Sequence, residues 1–166
     1  MKSKKAVSGR QFINEYLIGH IGTIKDQQPY FAFVLMAIGI EFLGKCLNKH
    51  SNWNYYSKGQ PARDFKRGMQ LTHLKRYIKL DLYHKLRCGL AHSLLTDGGL
   101  TLSDESGVNA ISCKQFFQDF EAACKEVLAM KNLPKKDLDL PFFTVTNTVN
   151  ADGEIVSVTG HTTTVK

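Results

Sequence analysis

A chain of 166 residues with 43% hydrophobic and 22% charged side chains holds enough apolar material for one core and too much for a disordered polypeptide. Its formal charge of +7 is concentrated: between positions 58 and 87, Lys58, Arg63, Lys66, Arg67, Lys75, Arg76, Lys79, Lys85 and Arg87 face only Asp64 and Asp81, an excess equal to the whole net charge. The four cysteines, Cys46, Cys88, Cys113 and Cys124, have neither paired metal spacing nor disulfide density, which argues against a zinc ribbon or a stapled secreted scaffold and for a reducing, cytoplasmic setting.

The N-terminus, MKSKKAVSGR, is basic, and no apolar signal core follows it. Residues 1–9 read as a flexible basic lead. From 10 to 24, Phe12, Ile13, Tyr16, Leu17, His20, Ile21 and Ile24 recur at helical spacing along one stripe. Asp26–Pro29 reads as a turn. A second helix, 29–48, is apolar on most sides until Glu41. Lys45, Lys49 and His50 sit in its last turn or just past it, where cations suit the helix dipole. Its longest apolar run, FAFVLMAIGI at 31–40, is too short to span a bilayer, so no membrane is expected.

Residues 51–69 mix polar and aromatic side chains around Gly59 and Pro61, a loop with a short helix from Pro61. From Leu71 the apolar positions run Leu74, Ile78, Leu82, Leu86, Leu90, Leu94. A four-residue step precesses about 40° per step on an α-helix, so the segment is either one helix buried on two sides or two helices broken near Asp81; the break is the favoured reading. Asp97-Gly98-Gly99 ends it. Residues 100–112 suggest a hairpin turning at Glu105–Gly107. A last helix over Cys113–Lys131 turns Phe116, Phe117, Phe120, Ala123, Cys124, Val127 and Leu128 inward, and Pro134 closes it. The tail is β-branched on both sides of Asp152-Gly153, a hairpin over 142–159. The expected fold is mainly α: four to five helices over 10–133 with a small β appendage, and a β-hairpin tail over 134–166.

The stretch YHKLRCGLAHSLL, 83–95, places Arg87 and His92 in an apolar context. On an ideal α-helix they lie about 140° apart, so they converge only if the helix bends at Gly89 or if two chains share the site. Cys88, Gly89 and Ala91 form a small-residue face where two helices can approach closely. Imidazole moves protons near neutral pH, and a guanidinium fork matches a phosphate. Together they suit cleavage of an RNA phosphodiester by its own 2′-hydroxyl, His92 as general acid or base and Arg87 on the phosphoryl oxygens, with no metal or cofactor. The bland alternative pairs Arg87 with a carboxylate and packs or caps with His92.

LRCGLAHS, 86–93, resembles the R-x(4–6)-H signature of the HEPN superfamily (higher eukaryotes and prokaryotes nucleotide-binding). The element order over about residues 10–131 is similar as well. The resemblance implies an up-down bundle, dimeric through the 84–95 helix face, with Arg87 and His92 in a metal-independent endoribonuclease site. It also implies a role in toxin–antitoxin, phage-defence or RNA-processing systems, with an antitoxin or other protein partner, or else a non-catalytic RNA- or nucleotide-binding or protein-interaction domain. The position after the arginine is usually polar in catalytic members; here it is Cys88.

Supporting candidates surround this pair. Glu41 could cross the bundle to Arg87, or be simply exposed. Lys75, Arg76, Lys79 and Lys85 are candidate RNA-phosphate ligands, or a solvated cationic face. His84, Cys88 and His92 step by four, but three ligands on one helix span about 12 Å, too far for one ion, so His84 reads as structural or as a helper near the site. Trp53, Tyr55, Tyr56 and Phe65 could stack single-stranded bases, or pack against the bundle edge.

Overall fold

The computed structural model describes residues 7–48, 57–89, 100–103, 110–130, 133, 137–138, 143–149 and 155–162. The chain divides into two units, Ser8–Lys136 and Met1–Val7 with Asp137–Lys166. The whole is mainly helical with a small two-stranded parallel sheet.

The larger unit opens with α1, a run of three helical stretches, Gly9–Phe12, Ile13–His20 and Ile21–Ile24, the middle one π-wound. Ser8 caps it, its hydroxyl accepting from the Gln11 N–H at 3.1 Å. Ile13, Leu17 and Ile21 form its buried stripe. Pro29 starts α2, Pro29–Cys46, at a position where its missing N–H costs nothing. By length and hydropathy α2 could cross a membrane, which the ten-residue run taken alone did not suggest, yet 61% of it is buried within the protein. Phe33, Met36, Ile40 and Leu43 lie at its core.

The short helix expected from Pro61 is α3, Gln60–Gly68, entered through Gly59 in the left-handed region (φ 73°). Glycine makes its crossing with α2 possible. A Cβ on Gly44 would lie 1.7 Å from the Asp64 carbonyl oxygen, and one on Gly68 would lie 2.2 Å from the Ile40 carbonyl oxygen. The two backbones therefore touch with no side-chain layer between them.

The expected break near Asp81 is present. A 3₁₀ helix, Lys75–Leu80, ends at Asp81, a non-glycine residue held at φ 49°, and α4, Tyr83–Cys88, begins two residues later with π winding. Leu74, Leu82 and Leu86 are buried, whereas Ile78 is 45% exposed, so the four-residue stripe is not one continuous face.

The last helix of the unit is α5, Cys113–Leu128, three residues shorter than expected. Ser112 caps its start, and the Arg10 guanidinium donates to the Leu128 and Met130 carbonyls at its end. Phe116, Phe117, Phe120, Ala123, Cys124 and Val127 are buried as expected; Leu128 is half-buried. Phe116 stacks on Phe33 at 5.8 Å and meets the edge of Tyr77 at 5.0 Å.

The strands before α5 differ from expectation. Thr101–Ser103 and Ala110–Ser112 pair in parallel, Thr101 opposite Ala110, not as a hairpin. A three-residue strand is only about 10 Å long. The second strand then runs straight into the cap of α5. In the smaller unit, Phe143–Val149 and Ile155–Thr162 form an antiparallel pair with a register shift at Thr148/Val149. This hairpin reaches three residues beyond the expected 142–159. Two-residue strands also occur at Val7–Ser8 and Asp137–Leu138. The expected flexible lead, 1–9, is structured at its end, where Val7–Ser8 is a strand and Gly9 begins α1 under the Ser8 cap; its residues 1–6, the turns at Glu105–Gly107 and Asp152-Gly153, the stop at Asp97-Gly98-Gly99 and the closing Pro134 lie outside the described residues.

Candidate functional site

The glycine-mediated contact of α2 with α3 brings charged groups into the interior. Glu41 and Lys45, one turn apart on α2, and Asp64 on α3 are all buried. Asp64 accepts from Arg67 Nη1 at 2.6 Å and from Gln60 Nε2 at 3.3 Å, and Arg67 Nη1 also reaches the Gly44 carbonyl at 3.4 Å. Burial holds the Lys45 ammonium below the usual lysine pKa, while Asp64 and Glu41 pull it back up. Lys45 thus sits in the last turn of α2 as the sequence indicates, but it faces buried carboxylates, not solvent.

Glu41 joins this cluster to α4. Its Oε2 accepts from Arg87 Nε at 2.8 Å, with 8% of the Glu41 side chain and 22% of the Arg87 side chain exposed. Burial alone would lower the arginine's pKa; the Glu41 charge and hydrogen bond outweigh it, and the guanidinium stays charged. The contact uses Nε. Among the described residues, neither terminal nitrogen of Arg87 has a hydrogen-bond partner; a guanidinium bound through Nε keeps four further N–H donors at those two nitrogens.

The winding of α4 decides what lies beside Arg87. In a π-helix the backbone bonds run from i to i+5; such turns are rare and frequently occur at functional sites, and this chain has a second one in α1. In α4 they bring Tyr83 and Cys88, five apart, into interaction. Burial chiefly raises the Tyr83 pKa, the Cys88 thiol adds to it and Arg87 opposes it. The Tyr83 ring also meets Phe65 edge-on at 5.4 Å. At the start of the helix the Asp81 carboxylate holds His84 Nδ1, at 3.0 and 3.1 Å from its two oxygens, which leaves Nε2 outward.

The basic stretch separates by residue type. Arg67 bonds Asp64, Arg76 bonds Asp119 and the Tyr77 hydroxyl, Arg63 reaches the Lys58 carbonyl and Ser57, and Arg87 bonds Glu41. The lysines form no such bonds within the described residues: Lys66, Lys75 and Lys79 are exposed and Lys85 is half-buried. Of the four candidate phosphate ligands, Arg76 is therefore already tied to a carboxylate.

The structure thus brings together Arg87, Glu41 and Cys88, with His84 three residues upstream in the same helix. His92 lies outside the described residues, as do Trp53, Tyr55 and Tyr56. Phe65 is buried beneath Tyr83 and packs in the core, as the bland reading of the aromatic cluster has it. Among the described residues no three His, Cys, Asp or Glu side chains are grouped to hold a metal ion. Sequence reasoning missed Asp64, Lys45 and Tyr83. The signal that could have found the first two was Gly44 with Gly68, small residues that admit a second backbone beside a charged turn. No protein-family model matches the chain, and neither does any curated protein or solved structure.

Proposed function

We propose that the chain is a metal-independent endoribonuclease of the HEPN type, working in the cytoplasm as a homodimer joined through the 84–95 helix face, in a defence or toxin–antitoxin setting. The observation that carries the reading is Arg87: a charged guanidinium anchored through Nε by a buried carboxylate, its terminal nitrogens without partners among the described residues. Such a group is pre-positioned for a phosphodiester, because the cost of ordering the side chain is met in the folded protein before RNA arrives.

In this mechanism His92 takes the proton of the 2′-hydroxyl, the 2′ oxygen bonds to phosphorus, and Arg87 stabilises the charge on the non-bridging oxygens. The P–O5′ bond breaks, the departing oxygen takes up a proton, and a 2′,3′-cyclic phosphate remains.

The test is cleavage of single-stranded RNA by purified protein in excess chelator, with end-group analysis. Cyclic-phosphate ends are expected, with loss of at least about 100-fold in rate for His92→Ala and Arg87→Ala. Equal cleavage by wild type and His92→Ala overturns the assignment. A second reading, a non-catalytic RNA- or nucleotide-binding or protein-interaction domain, is favoured by Cys88, whose thiol engages Tyr83 at a position where catalytic members usually carry a polar side chain. Salt-sensitive RNA binding without turnover would decide for it.

A further inference from the structure

South of the arginine along the same helix, a groove of about 340 Å³ opens between α3 and the segment from Ile78 to His84. Its floor is apolar, made by the inward-facing Phe65, Met69 and Leu82. Ile78, one of the few large apolar side chains left in solvent, forms part of its wall, so the packing of the helical unit gives that exposure no explanation. The rim is cationic on one side, with Lys66 exposed and without an intrachain partner among the described residues, and carries on the other the His84 ring fixed by Asp81.

We propose that this groove seats one nucleobase of a single-stranded RNA, with Lys66 and the imidazolium form of His84, which donates Nδ1–H to Asp81 and Nε2–H outward, contacting the phosphates on either side of it. The inference rests on reading Arg87 as a ligand of an RNA phosphate, and it deepens that reading by naming where the neighbouring nucleotide lies. Three observations carry it. The volume sits at the small end of ligand pockets, which suits one nucleoside and not a stacked run. An apolar floor under a polar rim matches a base between two charged linkages. The groove also lies within the 58–87 stretch, whose outward-facing lysines give the complementary charge. Asp81 adds a positioning role. Its carboxylate holds Nδ1, so that Nε2 is the ring nitrogen left for a ligand, and its left-handed backbone is uncommon for a non-glycine residue.

The test uses the full chain and a 2′-O-methyl octaribonucleotide, which cannot be cleaved by its own 2′-oxygen, so that binding is read apart from turnover. Fluorescence anisotropy across a salt series is expected to show two separable effects. Ala62→Trp, which fills the groove from its wall, weakens binding about ten-fold or more without changing the salt slope. Lys66→Ala lowers the slope of log K against log salt by about 0.7, the value for one lost phosphate contact on a single strand. His84 ring resonances shift on titration in wild type and not in Ala62→Trp. Should Ala62→Trp fail to fold, Ile78→Gln, which removes the apolar wall without adding charge, replaces it with the same expectation. Octamer binding untouched by these changes overturns the groove while leaving the Arg87 site standing. Binding that is lost as expected, in a protein that cleaves no RNA, keeps the groove and overturns the nuclease. If the octamer does not bind at all, both fall.

Discussion

One helix, α2, is joined to two of its neighbours by opposite means. Against α3 the contact is backbone to backbone, through Gly44 and Gly68, with Glu41, Lys45 and Asp64 buried alongside. Against α5 it is ring to ring: Phe33 stacks on Phe116, and the Phe120 ring occupies the space a Cβ on Gly39 would need. The apolar seam tolerates change by leaving a hole; the crossing has no hole to leave. The contrast shows why the buried charges of α2 itself lie toward the α3 crossing. Close backbones supply carbonyls and fixed dipoles that a charged side chain can use, as Arg67 uses the Gly44 oxygen, whereas aromatic packing supplies none.

The sharpest way to break this comparison is Gly44→Val. With a carbonyl oxygen 1.7 Å from the first added carbon, α2 and α3 must separate, and a loss above about 4 kcal/mol is expected, seen as the absence of a cooperative urea transition. A variant that unfolds normally would mean the crossing is soft. Next come single deletions on each side. Phe120→Ala should cost about 4 kcal/mol through the cavity it leaves. Glu41→Ala should cost about 3 kcal/mol, because it strands the Arg87 charge, and Glu41→Gln should recover part of that; urea midpoints at constant m value measure both.

The smallest effect is in alkaline solution. Burial raises the Cys46 thiol from 9.0 to about 12, and Cys124 and Tyr77 are raised as well. In the unfolded chain these groups ionise first, so the stability they represent is complete below pH 9 and is lost as pH climbs toward 12. Lys45 runs the other way: its pKa is lowered by folding, so the unfolded chain binds more protons and its contribution rises with pH up to 10.5. Urea unfolding between pH 8 and 10.5 should show a net decline that shrinks in the double variant Cys46→Ala with Cys124→Ala. An unchanged slope would place these thiols in contact with solvent.

Much of the helical unit was legible because its faces repeat. The stripe of α5, the start of α2 at Pro29 and the break at Asp81 all follow from where apolar side chains recur and where they cannot. The Glu41–Arg87 pair was legible for a different reason: a carboxylate interrupting an apolar helix needs a cation, and few were placed to supply one. What periodicity does not encode is winding. A four-residue step is compatible with a kinked α-helix, a 3₁₀ turn or a π turn, and the structure uses the last two on either side of Asp81. Strand direction was equally hidden, since two short strands with a polar connection look alike whether the chain reverses or returns. Asp64 escaped notice because DFKR reads as a solvated turn until Gly44 is seen lying against it.

Glu41 stands one turn from Gly44, the tightest backbone approach among the described glycines. The platform under the guanidinium is therefore mounted beside a crossing that leaves no room for a side chain. Loosening the aromatic seam should lower the melting point while leaving the fork of Arg87 aimed as before, so endurance and function can drift independently in this chain.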